Sequence, residues 1–463
     1  MQHVDSYLTQ HREAHLEELK EFLRFPSISA LSAHKEDMVR TAQWLAAALE
    51  RAGLENARVL PTQGHPAVYA EWLHEPGAPT ALVYGHYDVQ PVDPLHLWET
   101  PPFEPSIRDG KIYARGAVDD KGQVFAQVKA VEALLRTEGR LPVNLKFLIE
   151  GEEEVGSRHL PELLEQHRDL LRADVVVISD TSFFAPDVPA VTVGLRGLVA
   201  LELTLRGPRR DLHSGVYGGA VQNPLHALVQ LLASLRSPDG RILVEGFYDK
   251  VRPLSPEERE AWARLPFDPE AFREEVGAPA LFGEAGYTPL EQTWARPTLE
   301  INGLWGGFTG EGTKTVLPAE AHAKITCRLV PDQDPDEIYD LVAAQLRKNL
   351  PPGVTLEVRK EKGKGRPVLT PVDHPAVQAA FDALRETYGK EPVPIRSGGS
   401  IPIVESFATI LGLPAVLMGF GLPGENEHAP NEHWDLAQFD GATRTLARYW
   451  HKLAAALGSG ARG

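Results

Sequence analysis

Residues 143–150, VNLKFLIE, run directly into GEEEVGS at 151–157, and the reading of this junction decides the fold. A short apolar run bounded by turn residues fits a strand buried in a sheet. Glutamates then crowd its end: Glu150, Glu152, Glu153 and Glu154. Carboxylates packed so densely repel one another unless they are solvated or face cations. Two more runs have the same design. ALVYG at 81–85 leads into His86-Tyr87-Asp88, and DVVVIS at 174–179 stops at Asp180. Between them, VFAQVKAVEALLRTEG at 124–139 has helical spacing. Upstream, 5–24 reads as one amphipathic helix with Asp5 as its N-cap, and 36–53 as another closed by Gly53. Helices alternating with near-continuous apolar strands predict an α/β layered domain with a buried sheet.

Further along, the texture changes. From about 191 the strands alternate in polarity (TVGLRGLVALELTLRG, then AHAKITCRLV at 321–330), as in a sheet with one wet face. A Pro- and acid-rich stretch at 252–300 reads as loops with short helices. From 375 the helix–strand rhythm returns with PAVQAAFDALRETYG, PAVLMGFG and a helix near 435–456. The expectation is one α/β domain in two parts, 1–190 and 375–463, interrupted by an inserted α+β domain over 191–374.

Composition removes several classes of function. The chain has 463 residues, and its 64 acids against 47 bases leave a net charge of −17. That excess repels phosphate backbones and anionic lipid, so neither nucleic acid nor membrane is expected as a partner. A single cysteine, Cys327, excludes internal disulfides and cysteine-cluster metal sites. It falls on the Ala323/Ile325/Cys327/Leu329 face of an alternating strand, which is a core position. The N-terminus does not resemble a signal peptide and no run reaches membrane-spanning length, so the expected location is cytoplasmic.

The polar residues of interest sit where apolar strands end. His86 and Asp88, two apart on extended chain, point to the same side. There an aspartate can fix the tautomer of a metal-bound imidazole, or merely satisfy a strand-end histidine. Asp119 and Asp120 lie in the Gly-flanked turn RGAVDDKG at 115–122, where they could bind a cation or cap the next helix. Asp180 could likewise be a simple cap, and His428, in the loop GENEHAPNE at 424–432, a solvated side chain. Coincidence favours the functional reading, because strand ends in α/β sheets converge on one crevice. Two histidines with several carboxylates suit zinc, manganese or cobalt. There is no GxSxG, GxGxxG, Walker or HExxH motif to compete.

GHYDVQP, RGAVDDKG, EGEEEVGS, the aspartate after VVVIS, and EHAPNE occur in the order found in M20 metallopeptidases. DLHSGVYGG, GTKTVLP, CRLVPD and GGSIP resemble the branch of carnosinase-like and cytosolic non-specific dipeptidases. The resemblance implies an α/β catalytic domain carrying an inserted α+β lid and dimerisation domain. It also implies two divalent ions per subunit, zinc with manganese or cobalt as alternatives. Asp119 would bridge them, with His86 and Asp180 on one ion and Glu154 and His428 on the other. Asp88 would orient His86, Glu153 would be the general base, and the Asp119–Asp120 peptide would be cis. His213 would cross a homodimer to hold the substrate carbonyl, and Arg328 would clamp the free carboxylate of a small peptide. Thr315, Ser400 and His374 resemble further substrate contacts. One departure stands out: Arg396-Ser397 precede the GGS motif, where this branch commonly has an acid. The implied activity is dipeptide hydrolysis. The alternatives are an N-acyl amino-acid deacylase or carbamoylase of the same superfamily, or a non-catalytic metal-binding protein on this fold.

Overall fold

The computed structural model describes residues 1–361, 364–399 and 401–458. Its contacts separate two compact units. One comprises 1–193, 370–395 and 403–463; the other comprises 194–369 and 396–402.

The first unit is built on the parallel strands Asn144–Glu150, Thr80–His86, Val175–Ile178 and Ala415–Leu417, adjacent in that order. Nearly every residue of these strands is buried, which is why they read as apolar runs rather than alternating ones. Thr80–His86 lies between two neighbours, with His86 opposite Glu150 and Tyr84 opposite Ile178. The register therefore brings three carboxyl ends to one edge. The helices Lys121–Glu138, Pro375–Tyr388 and Leu436–Gly458 pack together beside the sheet and share its core through Phe125, Val131, Phe381, Phe439 and Trp450.

Two local expectations fail for tertiary reasons. The segment 5–24 is two helices, Gln2–Gln10 and Arg12–Leu23, separated at His11. Asp5 lies inside the first and caps nothing; it receives both terminal nitrogens of Arg448 at 2.9 and 2.7 Å. Arg12, at the start of the second, holds Asp440 on the same C-terminal helix. No glycine or proline marks the break, so long-range anchoring sets it. Similarly, the helix expected at 124 starts at Lys121. Lys121 is wholly buried and donates to the carbonyls of Phe22 and Phe25, whereas a lysine ordinarily reads as surface.

The second unit centres on an antiparallel sheet ordered Thr298–Gly306, Glu320–Leu329, Gly197–Arg206, Thr355–Lys360. Gly197–Arg206 alternates buried and half-buried positions, and its dry face meets helices Pro224–Ala233 and Pro335–Lys348. Cys327 is buried in this core. The acid-rich stretch forms three short helices, Pro256–Ala263, Pro269–Glu275 and Pro289–Trp294. Each opens on a proline and is capped by Ser255, Asp268 or Thr288, a pattern that satisfies the free N–H groups of a first turn. Among the described residues no helix is long and apolar enough to cross a membrane.

Candidate active site

The glutamates that follow Ile149 disperse instead of crowding. Glu150 is buried and accepts from the hydroxyls of Tyr84 and Ser157; burial pushes its carboxyl up to about 8 despite those bonds. Glu152 turns away to the backbone N–H of His65 and to His159 Nδ1, 2.8 Å off. Glu153 and Glu154 turn inward, toward His86 and His428 respectively. The pair is held there by Asp88, whose carboxylate accepts the N–H of Glu153 at 3.2 Å and that of Glu154 at 3.0 Å. Ser29 adds a third bond to Asp88, at 2.6 Å.

His86 Nδ1 lies 3.0 Å from the carbonyl oxygen of Asp88 and 3.4 Å from its carboxylate. Asp88 thus faces the imidazole mainly through its backbone, while its carboxylate organises the 153–154 turn. Both jobs follow from the chain bending after His86, where the strand ends. Same-side geometry on extended chain does not continue past that point.

The Asp119–Asp120 peptide is cis. Asp120 opens the helix without capping it; its carboxylate accepts the backbone N–H of His86 at 3.3 Å instead. Gly85 makes room for this, since a Cβ there would lie 2.8 Å from Asp120 Oδ2 and 2.5 Å from Val124. Asp119 faces the crevice. One of its oxygens lies 3.1 Å from His86 Nε2, the other 2.8 Å from His428 Nε2. Around this carboxylate, two groups of candidate ligand atoms form: His86, Asp119 and Asp180, and Asp119, Glu154 and His428. Asp180 Oδ2 is 3.7 Å from His86 Nε2, and Glu154 Oε2 is 3.3 Å from His428 Nε2. His428 takes a left-handed backbone conformation, φ +59°, in its loop.

The electrostatics are those of a site short of positive charge. Burial, reinforced by Asp120, pushes Asp180 well above the usual carboxylate range. Burial carries Glu153 up to about 7; His86 opposes the rise, and Glu154 and Asp119 add to it. Asp119 resists the same burial only because His428 and His86 hold it down. Hydrogen bonding to Asp119 and Glu154 carries His428 up to about 10. A divalent cation fits this donor set on one direct observation. His86 Nε2 is buried without a hydrogen-bond partner and faces three carboxylates, with Asp119 close but not aligned to share a proton. Neutral imidazole plus carboxylates is a ligand chemistry suited to such an ion.

The remaining predicted residues lie elsewhere in the chain. His213 is exposed on a two-residue strand paired with Val316–Leu317, its Nδ1 accepting from Gly215. Thr315 adjoins it, its carbonyl accepting the N–H of Ser214. Arg328 is half-buried on the wet face of the inserted sheet, opposite Thr298. His374 caps the helix Pro375–Tyr388, accepting from Ala376 at 3.2 Å. Ser400 lies outside the described residues. Sequence reading assigned no role to Ser29, to Gln90, which donates to Glu154 at 2.8 Å, or to Glu432. Two of them had a signal: Gln90 lies within GHYDVQP, and Glu432 four residues after His428 in one polar loop.

The chain matches the model of peptidase family M20/M25/M40 over residues 82–452 and belongs to that family. Among relatives, it is 32% identical to the Beta-Ala-His dipeptidase of Homo sapiens over 98% of this chain and 93% of that protein. It is 34% identical to the Cys-Gly metallodipeptidase dug1 of Schizosaccharomyces pombe, over 84% and 83%. The structure of human carnosine dipeptidase 1 superposes with a TM-score of 0.78 at 33% identity, covering 98% of each chain. That of the M20 family metallo-carboxypeptidase Sso-CP2 from Sulfolobus solfataricus gives 0.82 at 36%, covering 95% of this chain and 99% of that one.

Proposed function

We propose that this enzyme is a dinuclear metal-dependent dipeptidase that cleaves dipeptides bearing a free C-terminal carboxylate. The observation that carries the proposal is Asp119, one carboxylate shared by two three-residue groups with Glu153 beside them. His86, Asp119 and Asp180 would hold one ion, and Asp119, Glu154 and His428 the other, with zinc the first choice and manganese or cobalt alternatives. Bound there, such a pair would lower the pKa of a water and polarise the scissile carbonyl.

The chain's own groups do the rest. Glu153 takes the proton of the attacking water on its carboxylate and delivers it to the leaving amine. Asp88, through the N–H groups of Glu153 and Glu154, fixes that carboxylate in place. His213, sent across a homodimer, would donate to the oxyanion that develops on the carbonyl. The guanidinium of Arg328 offers a two-pronged seat for the substrate carboxylate and sets the distance from there to the scissile bond. Thr315, His374 and Ser400 complete the substrate contacts. The cytoplasm is the proposed location.

A second reading, a carboxypeptidase of longer peptides, draws support from the likeness to Sso-CP2. Deacylase or carbamoylase activity has less support, because the amidase of the hydantoinase/carbamoylase family from Burkholderia phymatum is 14% identical and shares the fold alone. A metal-binding module without catalysis would have no need of Glu153. The test is a substrate panel with added metal: dipeptides, C-terminally extended tripeptides and N-acetyl amino acids. Rapid cleavage confined to dipeptides supports the proposal. Equal cleavage of tripeptides would favour the carboxypeptidase, and a preference for N-acetyl amino acids would reject both.

A further inference from the structure

We infer that Glu432, paired with Arg115, is a positioning residue for the shared carboxylate of Asp119. Both side chains are about 1% exposed, so neither interacts with solvent. One oxygen of Glu432 accepts the N–H of Val118 at 3.2 Å and that of Asp119 at 3.1 Å. The other accepts the N–H of Gly116 at 3.0 Å and Arg115 Nη1 at 2.8 Å. A single carboxylate therefore gathers three backbone N–H groups from the turn that presents Asp119. That turn needs such an anchor, because Gly116 sits at φ +86° and the next residues belong to neither helix nor strand.

Arg115 extends the same brace to the second histidine. It donates to the carbonyl of Ala429, next to His428, and to that of Pro91. Glu432 itself returns its carbonyl to the N–H of Ala114. The loop carrying His428 and the turn carrying Asp119 are thus tied by one buried ion pair. A buried ion pair is weak support for stability as such, since well-packed apolar residues often do as well. Its place here, fastened to the backbone N–H of the residue whose carboxylate is common to both ligand groups, gives it a different use. Partners that orient metal ligands in this way typically change metal affinity about 10–100-fold when replaced.

The inference rests on the ligand reading proposed above, and the experiment separates the two. Metal-stripped wild type, Glu432→Gln and Asp180→Asn are titrated with Co2+, following heat and the visible absorption of the bound ion. In Glu432→Gln one carboxylate oxygen becomes an NH2 group that cannot accept, so at least two of the four bonds are lost. Wild type should bind two ions. Glu432→Gln should weaken both together, about 10–100-fold, and alter the absorption at saturation, whereas Asp180→Asn should weaken chiefly one. Should Glu432→Gln fail to give a cooperative melt, Glu432→Asp serves in its place; it keeps a charge for Arg115 but is one methylene too short to reach the turn. A folded variant that binds two Co2+ with wild-type affinity and spectrum would reduce the pair to a stabilising contact and overturn the inference. Wild type that takes up no pair of ions would overturn the ligand reading itself, and this inference with it.

Discussion

Carboxylates on the wet face of the inserted sheet and carboxylates at the strand ends of the first unit are treated in opposite ways. On the sheet, every acid in reach of a cation has one. Glu202 lies 3.1 Å from Arg359 and 3.8 Å from Lys324, and Arg206 holds Glu320 at 2.8 Å and Glu357 at 2.7 Å. At the strand ends, among the described residues, no lysine or arginine pairs with Asp119, Asp180, Glu153 or Glu154. All four are more buried than Glu320 and Glu357, and an uncompensated charge costs most where it is buried. A chain that gives its surface carboxylates lysine and arginine partners, and meets these buried ones only with the imidazoles of His86 and His428, has a ligand set open to cations from outside.

Mutating the two regions should give effects of very different size. Glu153→Gln should lose about 10²–10⁴-fold in turnover, the usual yield of a general base, while keeping its metal. Dipeptide kinetics with metal analysis check this; an ion lost from Glu153→Gln and retained in Glu154→Gln would mean that their roles are exchanged. Arg328→Ala should raise KM for free dipeptides about 10–100-fold, the worth of a hydrogen bond to a charged group. Wild type should for the same reason cleave C-terminally amidated dipeptides poorly, and equal rates on amide and acid would eliminate the clamp.

Glu132 is an intermediate case, buried like the crevice acids but paired like the surface ones. Burial alone would raise its carboxyl, yet His15, Lys129 and Tyr7 bring it down to about 2 from 4.5. A depressed pKa stabilises the fold above the ordinary value and is lost as pH falls through the depressed one. Glu132→Gln should therefore cost about 3 kcal/mol at neutral pH, and the gap from wild type should close between about pH 4.5 and 2. Urea unfolding across that range measures it; a gap independent of pH would show that the charge is not the cause. Smallest of all, Arg206→Ala on the exposed face should leave the urea midpoint where wild type has it, because surface pairs contribute little. A large drop there would break the contrast.

The first sheet was legible in the sequence because burial on both faces writes itself as apolar runs, and strands Gly197–Arg206 and Glu320–Leu329 of the inserted sheet because one wet face writes itself as alternation; Ala190–Leu195, read together with them, is instead buried throughout and pairs in the first sheet. The strand-end residues stood out for the same reason, as charges abutting oil. Less could be read where long-range partners decide. Nothing local distinguishes Asp5 as a partner of Arg448 from Asp5 as a cap, or Lys121 as buried from Lys121 as solvated. Glu432 was visible as an acid in a polar loop, but its bonds reach more than 300 residues back, to Gly116, Val118 and Asp119. Asp88 was expected beside His86, and the turn it organises at 153–154 appears only once the two strand ends are side by side.

The central claim is that the strand-end carboxylates are matched by two cations sharing Asp119. Counting divalent ions retained per chain after stripping, reloading and desalting tests it most directly, on wild type and on Asp119→Asn. Two equivalents in wild type, and loss of both together in Asp119→Asn, is the result expected of one carboxylate common to two sites. No retained ion in wild type, or two still bound after Asp119→Asn, would contradict it.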